Sequence, residues 1–251
     1  MKAISLVIPA TPGDAHYLPE LLRTINRGSF VPFEIIISIS SGKSVPAELV
    51  REIENEFGRA KRGGVILNRE MLFAAGNRNR GAALATGEVV AFFDADDIPH
   101  PHLFETVSFM FSSLDIVHLN HCGCFEVMRN DPVGPITYVN SDVLYPLYFP
   151  SGDFSECIRL TPIYGGGLPD NFKNVITGHT YVDRSVLDQV KFRDPGDLPF
   201  KKAEDYVFCM EVLHRFRKSA IINAVLSCVR PSKSRGPNRH GYENMRYVSL
   251  A

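Results

Sequence analysis

Three carboxylates fall within four positions at Asp94, Asp96 and Asp97, directly after the apolar run Val89-Val90-Ala91-Phe92-Phe93. The run is short, β-branched and aromatic, which is the composition of a buried strand in a parallel sheet. Side chains alternate across a strand, so Asp94 and Asp96 are expected on one side and Asp97 on the other. Two carboxylates on one side, at the carboxyl edge of a sheet, repel unless a cation lies between them. A hard divalent ion, Mg²⁺ or Mn²⁺, that also carries a substrate's phosphate oxygens is the economical occupant. Open α/β sheets bind ligands at this edge. The competing expectation is an acidic strand-to-helix turn in which an aspartate caps a helix starting near Pro99. Asp-x-Asp alone does not separate the two.

A second acidic pair, Glu204-Asp205, heads a segment in which Phe208, Cys209, Val212, Leu213 and Phe216 recur at helical spacing. Asp205 precedes Phe208 and Cys209 by one turn and so shares their inward face. The positive end of the helix dipole favours its ionised form. That suits a base which takes a proton from a substrate hydroxyl. Plain N-terminal helix electrostatics would place the same two residues there.

The elements that must position these acids alternate between strand and helix through the first half, the pattern of a parallel sheet. Strands are expected at 4–8, 34–39, 65–67 and the run before Asp94. Helices are expected from Leu18 through Ile25, from Pro46 through Phe57, and from Ala74 to Thr86 with Gly87 as its stop. Leu103, Val107, Met110 and Leu114 mark a further helix, and Ile116–Asn120 a further strand. Residues 124–175 break the pattern with six prolines, Gly165-Gly166-Gly167 and several aromatics. That stretch reads equally as a substrate-shaping excursion or as loosely patterned core. Regularity returns at 175–182, at a helix near 184–190, at the helix from Glu204, and at a strand over 220–229. No repeat or long linker divides the chain, so one domain over 1–251 is expected, with halves 1–120 and 121–229 and a basic tail over 230–251.

Composition narrows the function classes. At 251 residues, 45% hydrophobic and 22% charged, the chain is ordinary globular protein. A formal net charge of −1 supplies no basic field for nucleic acid. The five cysteines are odd in number and lack disulfide or zinc spacing, which points to reduced thiols and a cytoplasmic location. The start has a lysine before an apolar stretch, but Pro9 and Gly13 interrupt it early, as expected of a first strand rather than a signal peptide. No apolar run approaches membrane-spanning length.

The chain resembles the nucleotide-sugar glycosyltransferases of the GT-A fold, specifically glycosyltransferase family 2. The resemblance is carried by Ser5-Leu6-Val7-Ile8-Pro9 with Tyr17–Leu22, by Phe33–Ile37, and by Arg78-Asn79-Arg80-Gly81 running through Gly87-Glu88 into Phe92–Asp97. Thr177-Gly178-His179, Val190–Arg193 and Glu204-Asp205-Tyr206 follow in order. It implies an α/β, Rossmann-like fold with a mostly parallel sheet and an irregular acceptor-side excursion. It further implies inverting transfer of a sugar from a nucleoside diphosphate, UDP by default with GDP or dTDP as alternatives, to a hydroxyl of a glycan or other acceptor. Carried over by position, Pro9, Glu34, Ser40, Arg78, Asp94, Ala95 and Asp96 form the donor side. Asp96 binds Mn²⁺ or Mg²⁺, Asp94 touches the ribose or the metal shell, and Arg78 contacts the nucleotide. Asp205 is the general base, with Glu204 and His179 on the acceptor side. Ser40 stands where many relatives carry an acid that reads the base or ribose; a hydroxyl can still hydrogen-bond a base edge.

The tail from Arg230 through His240 is rich in Gly, Pro and basic residues. Its expected role is to fold over the diphosphate, with Arg235 or Arg239 neutralising charge and His240 completing the metal shell; a solvated basic tail is the plainer alternative. Two other function classes compete. A phosphatase using the first aspartate as nucleophile would want Thr or Val at Ile98 and the motif nearer the amino terminus. A degenerate binding domain of the same fold would have little need for both Asp96 and Asp205.

Overall fold

The computed structural model describes residues 1–41, 44–124, 133–155, 168–172, 174–194, 197 and 203–230. Nine strands among these residues form one sheet: β1 Ile4–Ala10, β2 Glu34–Ile39, β3 Arg62–Leu67, β4 Val89–Phe92, β5 Ile98–Pro99, β6 His118–Cys124, β7 Tyr138–Asn140, β8 Val175–Asp183 and β9 Ser219–Cys228. Among the described residues six helices flank it: α1 Leu18–Arg27, α2 Ala47–Asn55, α3 Ala74–Ala82, α4 Leu103–Ser113, α5 Ser141–Tyr148 and α6 Glu204–Phe216. The strand order is β3-β2-β1-β4-β8-β6-β9-β5, with β7 against β9. β3, β2, β1 and β4 are mutually parallel. β8 runs antiparallel between β4 and β6, and β9 returns parallel to β6.

Strand alternation sends alternate side chains to two cores. Ile4, Leu6 and Ile8 of β1, Ile35, Ile37 and Ile39 of β2, and Val89 and Ala91 of β4 join Leu18, Leu21, Leu22 and Ile25 of α1 and the inner face of α4. Val7, Ile36, Val90 and Phe92 face the other way, onto α3, α5 and α6. Each fully buried Leu, Ile or Phe contributes about 1.5–3 kcal/mol, so the three layers are held by strands that cannot slip by one residue without inverting both faces. Gly81 lets α3 lie close on β1, because a Cβ there would come within 2.5 Å of Val7 Cγ1.

Three expectations are corrected. The helix expected to reach Thr86 ends at Ala82, because the Thr86 N–H and hydroxyl turn to Glu34 Oε1 and the Gly87 N–H to Ser5 Oγ. No helix begins at Pro99; Ile98 and Pro99 pair with β9 as β5, and α4 starts at Leu103. The segment near 184–190 is a short 3₁₀ turn over Arg184–Asp188. Within 124–175, Tyr138–Asn140 pairs with β9, and α5 starts where the Asn140 side chain accepts from the Asp142 N–H. Lys233, Arg235, Arg239 and His240 lie outside the described residues. Among the described residues no helix is long and apolar enough to cross a membrane.

Candidate functional site

The sheet reverses its order of growth between β1 and β4. β2 and β3 add on one side of β1, whereas β4 adds on the other. Such a switch point leaves a crevice at the carboxyl ends of the strands. A cleft of about 340 Å³ lies there, lined by Pro9, Ala10, Thr11, Asp14, Ala74, Asn77, Arg78, Asp94, Ala95, Asp96, Glu204 and Asp205. The acids after β4 and the acids heading α6, 108 positions apart for Asp96 and Glu204, therefore share one cavity.

Arg78 joins the two groups. Its Nη2 donates to Asp94 Oδ1 and its Nη1 to Glu204 Oε1, both at 2.8 Å. Burial works against its charge, yet Asp94, Asp205 and Glu204 together raise its pKa above the ordinary arginine value. Each terminal nitrogen keeps a second N–H beyond these pairs, and Arg78 lines the cleft beside the acids it orients.

The acids after β4 do not continue the strand. β4 ends at Phe92, and the Asp97 N–H closes a turn onto the Asp94 carbonyl at 3.3 Å. Alternation therefore stops, and Asp97 does not point away. Ligand atoms of Asp94, Asp97 and His179 lie within 4.8 Å of one another, a grouping able to hold a metal ion. Asp96 is outside this trio but beside it: burial first, then Asp97, Asp94 and Asp14, pushes its carboxyl up to about 7. Three further acids crowding Asp96 fit a bound cation.

A bulge in β8 delivers the remaining groups. The register passes from Asn120↔Thr180 to Cys122↔Val175, so His121 alone faces residues 176–179. Bulges re-aim side chains beside functional sites. Thr177 donates to Asp205 Oδ2 while the Tyr206 N–H donates to Asp205 Oδ1 at 2.8 Å, which fixes that carboxylate. Gly178 makes room for the ion pair: a Cβ there would come within 2.5 Å of Asp94 Oδ2. His179 is fully buried, its ring stacked on Phe93 at 3.9 Å between centroids. Its Nε2 lies 2.9 Å from Asp97 Oδ2 but off the line a hydrogen bond requires.

Pro9, Arg78, Asp94, Ala95, Asp96, Glu204 and Asp205 thus line the cleft. Ser40 is buried at the end of β2 with its hydroxyl 3.8 Å from Met71 Sδ, outside the cleft wall. Glu34 is a correction. It begins β2, at the sheet edge opposite the cleft, and its Oε1 accepts from Ser5, Thr86 and Gly87. It holds the α3–β4 connection. Sequence reasoning missed Asp14 and Thr11, whose side chains bond each other at 2.6 Å; their signal was a polar turn directly after β1. It also missed Asn77, buried in a network with Ser38 and Asn68 beneath β1 and β2.

The chain matches the family described as glycosyl transferase family 2 over residues 5–158. It is 35% identical over 99 residues to the amylovoran biosynthesis glycosyltransferase AmsB of Erwinia amylovora, a match covering 39% of this chain and 32% of AmsB. It is 45% identical over 51 residues to the uncharacterized glycosyltransferase YibD of Escherichia coli K12, covering 20% of this chain and 15% of YibD. Among solved structures, S. aureus TarS 1-349 in complex with UDP-GlcNAc aligns with a TM-score of 0.63 at 13% identity, over 92% of this chain and 59% of that one. The mannosyltransferase PcManGT from Pyrobaculum calidifontis, in complex with GDP-Man and Mn²⁺, aligns with a TM-score of 0.54 at 14% identity, over 96% of this chain and 59% of that one. The matches span about a third or less of these curated relatives and about three-fifths of these two solved chains. The fold is that of the GT-A glycosyltransferases, and the family match covers more than half of the sequence. The chain belongs to glycosyl transferase family 2.

Proposed function

We propose that the chain transfers a sugar from a nucleoside diphosphate donor, a UDP-sugar in the first instance, to a hydroxyl of a glycan or other acceptor, with inversion and with a divalent cation. The observation that carries this reading is the shared cleft: Asp94 and Asp96 on one wall, Asp205 on another, at the switch point of the sheet. The TarS complex with UDP-GlcNAc and the PcManGT complex with GDP-Man and Mn²⁺ support the donor class.

Asp94 and Asp96 would hold the cation, Mn²⁺ or Mg²⁺, and the crowding of Asp97, Asp94 and Asp14 around the buried Asp96 carboxyl fits that role. When bound, the cation supplies Lewis-acid stabilisation to the departing diphosphate. The chain's own residues do the rest. Asp205 accepts the proton of the acceptor hydroxyl as its oxygen bonds to the anomeric carbon from the face opposite the leaving group. The anomeric C–O bond breaks with its electron pair staying on the diphosphate, so one displacement inverts the centre. Thr177 and the Tyr206 N–H keep the Asp205 carboxylate aimed, and the start of α6 favours its charged form. Arg78 keeps Asp94 and Glu204 in place on the two walls.

Two variants separate binding from chemistry, read by donor-induced thermal shift and by release of nucleoside diphosphate. Asp205→Asn should keep donor binding within about twofold and lower turnover by about 10²–10⁴. Asp96→Ala should lose Mn²⁺-dependent donor binding. Wild-type turnover in Asp205→Asn removes the base assignment.

A further inference from the structure

Two cysteines 104 positions apart in the chain, Cys124 and Cys228, meet across the sheet. β6 and β9 run parallel, and beyond the register shift at Cys122 their partners are Gly123↔Ser227 and Cys124↔Cys228. The pair closes the last rung of this ladder, just before the Val229 N–H donates to the Cys124 carbonyl at 2.8 Å. Both are reduced thiols, Cys124 half-buried and Cys228 buried, and a side-chain hydrogen bond links them. On its other edge β9 carries β5, with Cys228 opposite Ile98, the residue after Asp97. Two residues beyond Cys228, the Arg230 N–H donates to Asp97 Oδ1 at 3.0 Å, and the Arg230 guanidinium pairs with Glu20 Oε2 at 2.8 Å. The end of β9 is therefore tied to Cys124 on one side and to the acidic turn on the other.

We propose that Cys124 and Cys228 form an oxidative modification site: hydrogen peroxide converts them to a disulfide across β6 and β9, which draws the end of β9 away from the acidic turn and lowers transfer. The modification goes beyond the function proposed above; its effect on transfer rests on that function.

The geometry allows the bond. Neighbouring strands lie about 4.7–4.9 Å apart, within the range of about 4.4–6.8 Å between Cα atoms that a disulfide spans. Register partners in a parallel pair also send their side chains to the same face. The bond has a mechanical consequence, because it holds the two Cβ atoms about 3.8 Å apart, about 1 Å closer than the strand spacing. β9 must close on β6, and the gap opens on the β5 side, where the Arg230 N–H holds Asp97. The two thiols also divide the chemistry. The Cys124 hydrogen bond, then burial and the Cys124 charge, hold the Cys228 thiol well above its ordinary range, so the more exposed Cys124 ionises first and meets the oxidant. Its sulfur attacks one peroxide oxygen, the O–O bond breaks, and the other oxygen leaves as water with the proton Cys124 released. The product is a sulfenic acid. The Cys228 sulfur then attacks the Cys124 sulfur, the S–O bond breaks, and a second water leaves with the Cys228 proton. Two thiols lose two electrons and hydrogen peroxide gains them; a thiol reductant reverses the change by exchange. Cys122 and Cys209, pushed up by burial to about 11 and about 12, are poor competitors for the oxidant.

The test treats the full chain with hydrogen peroxide, blocks the remaining thiols and maps linked peptides by mass spectrometry, with turnover of nucleoside diphosphate sugars followed on the same samples. Oxidised wild type should yield a Cys124–Cys228 peptide pair lacking two hydrogens. Its turnover should fall by about 10–100-fold, the scale of an about 1 Å misplacement, and dithiothreitol should restore it to within about twofold. Cys124→Ser and Cys228→Ser should begin near wild-type turnover and keep it under the same peroxide. No disulfide, or a link from Cys124 to Cys157 (outside the described residues), overturns the inference and leaves the proposed function untouched. A mapped Cys124–Cys228 bond with unchanged turnover overturns the coupling to the acidic turn. Reduced wild type that turns over no nucleoside diphosphate sugar removes the proposed function and the coupling with it, while the mapped bond stands or falls by itself. The mapping needs only wild type, so it does not depend on how well the variants fold.

Discussion

The two halves of the sheet bury different chemistry. β1, β2 and β4 are mainly aliphatic and aromatic, with Leu6, Ile8, Ile37, Val90 and Phe92 fully buried. β6 reads His118-Leu119-Asn120-His121-Cys122-Gly123-Cys124, and its three polar side chains are fully buried as well. The first half is held by area removed from water. The second must satisfy its polar groups internally: His118 bonds Ser219 and Thr180, Asn120 bonds the Ile176 and His179 carbonyls, and His121 bonds Tyr181 and Ser227. A scaffold needs only the first kind of interior. The second kind lies directly behind Asp97 and His179, where side chains of fixed direction and protonation are useful.

Substitutions can sharpen or break this contrast, taken from the largest effect downward. Phe92→Ala empties a site where Phe92 meets Phe192 and Phe208 edge-on, and should cost about 3–5 kcal/mol in denaturant unfolding. A cost under about 1 kcal/mol would mean that packing does not dominate this half.

Gly178→Ala acts by intrusion rather than by a void. Its new Cβ meets Asp94 Oδ2, so it should cost about 1–3 kcal/mol and weaken Mn²⁺ binding with it. Unchanged Mn²⁺ affinity would detach Gly178 from the ion-pair geometry of Asp94 and Arg78.

The polar half should also betray itself through pH. Burial holds His118 at about 4, below its ordinary value of 6.5. The unfolded chain takes up that proton first, so stability is full above about 6.5 and falls as pH drops towards 4. The slope is about 1.4 kcal/mol per pH unit for one such proton. His121, also held low by burial, adds to the same trend. Unfolding curves across this range should steepen accordingly, and His118→Gln should flatten them. A pH-independent midpoint between 4 and 6.5 would contradict the buried neutral imidazoles.

The smallest effect belongs to Ala203, the residue before Glu204-Asp205. It sits at φ 66°, in the left-handed region that disfavours a Cβ. Ala203→Gly should gain a few tenths of a kcal/mol, about 0.5, from relief of strain less the added freedom of the unfolded chain. Destabilisation in thermal melts would show that the left-handed turn is not strained.

The same contrast explains what could be read from sequence. Apolar strands announce themselves by run length and β-branching, so β2 was expected at its observed bounds, and α6 followed from a stripe of Phe208, Val212 and Leu213. The acids at 94–97 and 204–205 were legible because carboxylates directly after a strand or heading a buried stripe are costly without a purpose. The β8 bulge was not legible. Thr177, Gly178 and His179 look like part of a regular strand, and only the register against β6 shows the break that sets Thr177 on Asp205 and His179 beside Asp97. Asp97 was misdirected by carrying strand alternation one turn too far. Glu34 looked like a donor-side acid by position, whereas the Ser5 hydroxyl and the Thr86 and Gly87 amides that satisfy it come from segments far away in the chain.

The central claim is that this cleft takes a nucleoside diphosphate together with a divalent cation. Thermal denaturation of the full chain with UDP-sugars, with and without Mn²⁺, tests it most directly. The account predicts stabilisation that requires both, about 2.7 kcal/mol at a hundredfold excess over the dissociation constant, and none in Asp96→Ala. Nucleoside diphosphates that leave the midpoint unmoved with Mn²⁺ present, or shift it equally without the ion, would contradict it.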